Sequence, residues 1–187
     1  MSIHIQRPKN TGLYTGFQIY VEYLTGRLGL RDGTMVEIGS YQGESTEIFA
    51  TAFSKVYAID PWINGYDDRD ISSYITPMHL VESAFDSRMA NYPNVIKRKG
   101  KSQEILSAFI SDHITVDFVY IDGAHIKEEV LSDLHYAAKI TKYIGGHDWG
   151  HPEVTAALLE FFNASSLDGL PFYLSYESSW VYTNQFI

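Results

Sequence analysis

Hydrophobic positions along the chain follow two alternating spacings, which predict a series of helices and strands. Residues 14–28, "YTGFQIYVEYLTGRL", carry apolar side chains on one face of a helix, at Phe17, Tyr20, Val21, Leu24 and Leu28. Short apolar runs at 34–38, 55–60, 115–123 and 142–146, and within 93–100, are typical of buried strands. Further helices are predicted at about 43–53, from Ser102 as a cap, over 125–140, and from Pro152 onward.

The tail of the chain has a different pattern. Two short runs, "PFYLSYE" and "SWVYTNQF", follow each other closely and predict an antiparallel hairpin over 171–186. Upstream, apolar strands that alternate with helices indicate an α/β fold with a doubly wound sheet. We predict a single domain over 1–187, with an N-terminal helical segment (1–30), a core (34–163) and the hairpin. Its sheet would be Rossmann-like, mostly parallel and seven-stranded.

Composition excludes several classes of protein. The chain has no cysteine, which excludes disulfides, thiolate metal sites and a cysteine nucleophile. The segment "MSIHIQRPKN" has no apolar core and no apolar run approaches the roughly 20 residues of a membrane span. We therefore expect a cytoplasmic protein without a membrane partner.

The charge balance argues against nucleic acid as a partner. Net charge is −9, from 23 acidic and 14 basic residues, and the basic residues are scattered. The exception is "KRKGK" at 97–101, which is either a phosphate contact or a solvated loop.

Polar residues collect where predicted strands end, which is the edge where doubly wound sheets bind ligands. The first strand runs into Glu37-Ile38-Gly39-Ser40-Tyr41-Gln42-Gly43, and Asp60 ends the second strand. A dinucleotide fingerprint would need further glycines where this chain has tyrosine and glutamate, which disfavours a dinucleotide-dependent oxidoreductase. Asp60 is placed to accept hydrogen bonds from ribose hydroxyls, and Trp62 beside it offers a ring for stacking.

A second polar group follows the fourth and fifth strands. Asp122 ends the fourth strand with His125 three residues later, and His147 and Asp148 end the fifth. The two strands are expected to be neighbours, so these side chains should converge. Carboxylates favour magnesium, calcium or manganese, and imidazoles shift the preference toward manganese, zinc or iron. His151, just before Pro152, is expected to cap or precede the next helix.

These motifs together resemble a known family. The segments "VEIGSYQGEST", "VYAIDPW", "KGKSQEIL", "VDFVYIDGAHIKEEVLSDL" and "GGHDWGHPEVTAALLEFF" are similar to class I S-adenosylmethionine-dependent methyltransferases. More narrowly, they resemble the small-molecule and sugar O-methyltransferase branch that includes macrocin O-methyltransferase and cephalosporin-hydroxylase-like proteins. The resemblance covers residues 34–163, and the pair "IDGAH" and "HDW" is its most selective part.

The resemblance implies roles for individual residues. The turn after the first strand would line the methionine and ribose end of S-adenosylmethionine, and Asp60 would hold the ribose hydroxyls. Trp62 and the segment 100–102 would lie near the adenine. The residues implied to contact the cofactor are Glu37, Gly39, Ser40, Gly43, Asp60, Trp62, Lys101, Ser102 and Asp122.

The chain departs from the family pattern at two places. Related enzymes hold a divalent cation with an aspartate after the fourth strand and two acidic residues after the fifth. Here Asp122 and Asp148 are present, but His147 replaces the first acid of the pair. A magnesium or manganese ion would therefore rest on Asp122, His147 and Asp148. The usual Pro-Gly-Gly turn is also missing, so the fifth strand is expected to begin somewhat before residue 142.

We predict an S-adenosylmethionine-dependent O-methyltransferase that acts on a hydroxyl of a sugar or other small molecule. Methyl transfer needs a deprotonated acceptor oxygen, which either a metal or a histidine can provide. Asp122 and His125 are the candidate catalytic residues, with a helix-capping histidine as the alternative for His125. A non-catalytic cofactor-binding protein of the same fold is the alternative function. A homodimer could form through the aromatic N-terminal helix and the hairpin.

Overall fold

Helices and strands alternate along the chain as the hydrophobic pattern predicts. The computed structural model describes residues 12–66, 72–175 and 177–183. Its strands are β1 (Thr34–Ile38), β2 (Lys55–Asp60), β3 (Val95–Lys99), β4 (Phe118–Ile121), β5 (Ile144–Gly146), β6 (Phe172–Leu174) and β7 (Trp180–Tyr182). Its helices are α1 (Gly12–Gly26), α2 (Glu44–Ala50), α3 (Ser72–Ile75), α4 (Met78–Met89), α5 (Ser102–Ser111), α6 (Lys127–Ala137) and α7 (Pro152–Phe161).

The seven strands form one sheet in the order β3-β2-β1-β4-β5-β7-β6. Strands β1 to β5 are parallel, whereas β7 is antiparallel to both β5 and β6. The predicted fold class, including the C-terminal antiparallel hairpin, is confirmed. The register sets Ile38 beside both Ile59 and Ile121, so β1, β2 and β4 end at nearly the same level. This shared edge holds the polar residues of the motifs.

Helices cover both faces of the sheet. On one face, Met35, Phe118 and Tyr120 pack against α1 and α2, and α4 packs beside β2. On the other face, Val36, Val119 and neighbouring apolar residues pack against α5, α6 and α7. Since side chains alternate along a strand, Glu37 points to the α2 face together with Met35. Among the described residues, no helix is both long and apolar enough to cross a membrane.

Two details of the element pattern differ from expectation. The hydrophobic pattern did not predict α4, although Met78, Val81 and Phe85 are buried at helical spacing. The expected early start of the fifth strand is wrong, since β5 begins at Ile144. Turns follow α6, and the Tyr143 N–H donates to Thr141 Oγ1 at 3.2 Å, which delays the strand.

The aromatic residues of α1 and the hairpin pack against each other within the chain. The rings of Tyr23 and Tyr173 are stacked with centroids 3.5 Å apart, and the Tyr20 hydroxyl donates to the Trp180 carbonyl at 2.8 Å. Ile19 of α1 and Leu174 of the hairpin stay exposed, at 51% and 44%. The homodimer stays a prediction.

Gly39 determines how closely β1 and β4 approach at their ends. Its φ is +86°, and a Cβ at this position would lie 1.8 Å from the Asp122 carbonyl oxygen. The Gly39 N–H donates to the Ile59 carbonyl, and the Asp122 N–H donates to the Ile38 carbonyl. No side chain fits this position, so glycine is required for the three strand ends to meet.

Gly39→Ala is expected to destabilise the protein by at least about 3 kcal/mol, because the clash is with backbone and φ is positive. For a chain of this size the melting temperature should fall by roughly 6–12 °C. Gly26→Ala is the matched control, since nothing lies within 4 Å of its added Cβ. Thermal unfolding by circular dichroism measures both. Equal melting temperatures for the two variants would contradict the close approach.

Candidate active site

The turn after β1 is organised by a buried carboxylate. Glu37 accepts hydrogen bonds from the hydroxyls of Ser40 (2.9 Å), Ser45 (2.5 Å) and Thr46. Burial raises the pKa of Glu37 to about 7, although these hydroxyl donors favour the ionised form. Glu37 is completely buried and locks the glycine turn onto α2. Its contact with the cofactor stays a prediction. Gly43, with φ of +81°, begins α2 beneath this turn.

Asp60 joins the turns that follow β1 and β2. Its Oδ2 accepts a hydrogen bond from the Tyr41 N–H at 2.9 Å, and its Oδ1 accepts one from the Trp62 N–H at 2.7 Å. Burial raises the pKa of this carboxyl group, while the two amides oppose the shift. Tyr41 and Trp62 both have a φ of 44°, an unusual conformation for non-glycine residues that Asp60 helps to hold.

The ring of Trp62 is not open for stacking, contrary to the expectation from sequence. It is 3% exposed, its Nε1 donates to the Tyr41 carbonyl, and its ring lies 4.9 Å from that of Phe85. Lys97 Nζ lies 4.8 Å from its ring centroid. Trp62 therefore packs the turn in place, and only its backbone is available near the edge.

The first turn of α5 is tied to α6. Lys101 is the N-cap residue, so the expected cap role of Ser102 is wrong. The Ser102 hydroxyl instead donates to Asp133 Oδ1 at 2.6 Å, and Gln103 Nε2 bridges Asp133 and Glu129. Asp133 is buried, and this burial raises its pKa to about 7. Lys101 is exposed beside this buried pair.

The polar residues at the ends of β4 and β5 converge as predicted. His125 Nε2 and Asp148 Oδ2 are 2.5 Å apart, and His147 Nδ1 lies 3.3 Å from the same oxygen. His147 Nδ1 is also 3.7 Å from Asp122 Oδ1. These four residues line one pocket together with the ring of Trp180. The helix-cap alternative for His125 is wrong, because Ile126 is the N-cap of α6.

Charges within this cluster stabilise one another. Burial alone would lower the pKa of His147, but its hydrogen bond to Asp148 and the charges of Asp122 and Asp148 outweigh burial and raise it to about 9. Burial would raise the pKa of Asp148, but hydrogen bonds from His125 and His147 hold it well below its usual range. Asp148 also has a positive φ of 57°, which directs its side chain toward both histidines.

The cluster has the donor set of a divalent-cation site. One ligand atom each from Asp122, His125 and Asp148 lie within 4.8 Å of one another. His147 Nε2 donates to the Glu177 carbonyl at 2.8 Å, which leaves Nδ1 directed toward the carboxylates. Metal-binding histidines commonly donate their other ring N–H to a backbone carbonyl in this way. The residues present therefore fit a cation, with His125 as a further candidate ligand.

Several functional contacts were not predicted from sequence. His151 occupies the N-cap position of α7, as expected, but its ring also lies 5.2 Å from the ring of His125. Asp133, Glu177 and Trp180 reach the edge from distant parts of the chain. Of these, only Asp133 could have been found from the sequence, because it is an acidic residue on the apolar face of α6, beside Leu134.

Sequence comparison identifies the family. A family model described as "Methyltransferase domain" matches residues 36–147, which is more than half of the chain. The chain belongs to the methyltransferase-domain family. This confirms the predicted S-adenosylmethionine-dependent methyltransferase. A search of curated proteins found no match.

Solved structures share the fold of this methyltransferase. CalS11, calicheamicin methyltransferase, has a TM-score of 0.67 at 11% identity, covering 92% of this chain and 80% of CalS11. An O-methyltransferase from Bacillus cereus in complex with SAH has a TM-score of 0.59 at 14% identity, covering 94% and 82%. A putative RNA methyltransferase from Pyrococcus horikoshii has a TM-score of 0.52 at 13% identity, covering 77% and 65%. At these identities the likeness concerns the fold alone.

Acidic residues of α4 pair with two of the four basic residues in the "KRKGK" run of this methyltransferase. Lys97 Nζ lies 2.8 Å from Glu82 and 2.7 Å from Asp86, and Lys99 Nζ lies 2.5 Å from Glu82. Lys97 and Lys99 lie within β3 and not in a loop. Because both are paired with acids, these two lysines do not form an unpaired phosphate site.

Asp133→Asn should reduce the pH dependence of stability of this methyltransferase. The folded pKa of Asp133 is about 7 and its ordinary value is 3.8, so between them the folded state keeps a proton that the unfolded state has lost. Stability must then fall as pH rises through that window, by up to about 1.4 kcal/mol per pH unit for each such proton. Burial also raises the pKa of Glu37 and of Asp60, which contribute in the same direction, so the variant should lose part of the slope and not all of it.

Urea unfolding between about pH 4.5 and 6.5 measures this slope. Asp112→Asn, at an exposed position, is the control and should retain the full slope. An unchanged slope in Asp133→Asn would refute the buried, protonated carboxyl.

Proposed function

We propose that this methyltransferase transfers a methyl group to a hydroxyl oxygen of a sugar or another small molecule, assisted by a divalent cation. The observation that supports it is the cluster of two carboxylates and two imidazoles at the ends of β4 and β5. Asp122 of this cluster contacts Gly39 of the turn after β1 through its backbone. Donor and acceptor would therefore meet at this edge.

S-adenosylmethionine would bind across the ends of β1, β2 and β4. The backbone from Gly39 to Gly43, with Ser40, would border its methionine and ribose portions, and Asp60 would accept hydrogen bonds from the ribose hydroxyls. Both Asp60 oxygens already accept one amide hydrogen bond, and each carboxylate oxygen can accept a second. Lys101 and Ser102 would lie near the adenine.

A small-molecule acceptor is favoured by charge. The protein carries a net charge of −9, and Lys97 and Lys99 are paired with acids of α4. Nucleic-acid partners usually require an unpaired basic surface. CalS11, which shares the fold, is described as a TDP-rhamnose 3′-O-methyltransferase, and this supports a sugar among the acceptors to be tried.

Methyl transfer is an in-line displacement that requires alignment and a deprotonated oxygen. The acceptor oxygen forms a bond to the methyl carbon as the carbon–sulfur bond breaks, and that electron pair remains on the sulfur. The hydroxyl proton would pass to His125, whose ring Asp148 orients at 2.5 Å. A magnesium or manganese ion held by Asp122, His147 and Asp148 would lower the pKa of the acceptor hydroxyl.

Asp60→Asn should weaken binding of S-adenosylhomocysteine by at least about tenfold, because a buried site that loses a carboxylate acceptor leaves hydroxyls or amides unpaired. Isothermal titration measures the affinity. Asp112→Asn is the control, since Asp112 is exposed at the end of α5. Absence of binding to the unmodified protein would refute the cofactor assignment. Equal affinity in Asp60→Asn would remove only the role of Asp60.

Asp122→Asn and Asp148→Asn should each weaken Mn²⁺ binding by more than about tenfold, since each removes a charged ligand from the cluster. Electron paramagnetic resonance titration counts the free ion directly. Asp112→Asn should bind Mn²⁺ like the unmodified protein. Methyl transfer to a panel of nucleotide sugars that survives complete chelation would show that the cation has no part in the reaction.

A further inference from the structure

The turn between β6 and β7 lies against the end of β5 and is bonded to it. We refer to its described residues Ser175 and 177–180 as the hairpin strap. The His147 ring donates from Nε2 to the Glu177 carbonyl at 2.8 Å. The Trp180 indole donates from Nε1 to the His147 carbonyl at 2.9 Å. These bonds hold His147 at both its ring and its backbone.

The hairpin strap is closed by its own hydrogen bonds. The Ser175 N–H donates to the Ser179 carbonyl at 2.8 Å, and the Ser178 N–H donates to the Ser175 carbonyl at 3.2 Å. The Ser175 hydroxyl donates to Glu177 Oε2, and the Glu177 side chain is 6% exposed. Glu177 Oε1 is buried with no hydrogen-bond partner within the described part of the chain. The hydroxyl of Ser175 therefore anchors Glu177, which fixes the direction of its carbonyl group.

Trp180 is also a wall of the active-site pocket. Its side chain is 1% exposed and borders the pocket beside His147 and Asp148. A Cβ on Gly146 would lie 2.8 Å from Trp180 Cζ2, so the indole fits only over a glycine at the end of β5. The ring packs on Gly146 at the end of β5, while its N–H donates to the carbonyl of the next residue, His147. Packing and hydrogen bonding thus fix the same residue.

We propose that the hairpin strap, through Trp180 and Glu177, is the positioning device for His147. A backbone carbonyl accepts a hydrogen bond only from a protonated nitrogen. The bond to the Glu177 carbonyl therefore requires that Nε2 of His147 carry a proton. Nδ1 is then the nitrogen turned toward Asp122 and Asp148. This proposal rests on the proposed function only for the identity of the group or ion that Nδ1 binds there. Rotating the ring by half a turn would put Cδ2 in the place of Nδ1 and Cε1 in the place of Nε2, and the strap prevents this.

Ring-proton exchange of histidines tests this directly. In protein labelled with ¹⁵N-histidine, we expect one slowly exchanging ring Nε2–H signal, assigned by its loss in His147→Gln. Trp180→Phe keeps an aromatic ring over Gly146 but removes the donor to the His147 carbonyl. Exchange of the Nε2 proton should accelerate by about fivefold to tenfold, the effect of losing one hydrogen bond.

Trp149→Phe is the matched control. Trp149 follows the same strand, its ring packs on Phe172 at 4.9 Å, and its indole N–H has no hydrogen bond among the residues described. Its exchange rate should equal that of the unmodified protein. The proposal is overturned by an unchanged rate in Trp180→Phe, by equal acceleration in Trp149→Phe, or by absence of the protected signal.

A second variant keeps the test decisive if Trp180→Phe fails to fold. Ser175→Ala removes only the hydroxyl that anchors Glu177, and it should also accelerate the exchange; an unchanged rate in this variant overturns the proposal. Titration with S-adenosylhomocysteine separates this proposal from the proposed function. Ser175→Ala should keep its affinity, because Ser175 does not border the active-site pocket and the cofactor would lie over β1, β2 and β4. If even the unmodified protein fails to bind S-adenosylhomocysteine, the proposed function fails while the exchange rates still decide the strap.

Discussion

The close approach of Gly39 to the Asp122 backbone is the constraint on which the site depends. Because no Cβ fits between them, the end of β1 and the end of β4 lie in direct contact. The turn proposed to border the methyl donor is thereby fixed relative to the strand end that carries Asp122. Hydrogen bonds from Gly39 to β2 and from Asp122 to β1 extend the contact to three strands. Alignment for an in-line displacement is thus built into the sheet itself.

Buried carboxylates stabilise the turns at this edge of the sheet. Glu37 accepts hydrogen bonds from hydroxyls of its own turn and of α2, and Asp133 accepts one from the first turn of α5. Asp60 holds two backbone amides at once. Each is buried at a cost that the hydrogen bonds must offset, and each orders a turn that would otherwise be flexible. Asp122 and Asp148, in contrast, are only partly buried and line the pocket at the ends of β4 and β5.

The fold was predictable from sequence because its determinants are local. Strand runs such as 115–123 and glycines at strand ends report burial and tight turns directly, and the topology rules then bring Asp122 and Asp148 together. The orientation of side chains was not predictable. Nothing in the segment around Trp62 distinguishes a ring stacked on a ligand from one packed on Phe85. Trp180 and Glu177 reach the site from about thirty residues beyond His147, a contact that no local pattern encodes.

In the proposed cation site, His147 would compensate for the acidic residue that is missing after β5. The cluster contains two aspartates and two histidines, and the hydrogen bond to Asp148 together with the charges of Asp122 and Asp148 raises the pKa of His147. A cation at Nδ1 must displace that proton, so the proton and the cation compete for one position. A third carboxylate would bind a hard ion more tightly but would leave the empty pocket strongly negative. The imidazole instead stabilises the pocket without the ion, and as a nitrogen ligand of the proposed cation it would shift the preference from magnesium toward manganese.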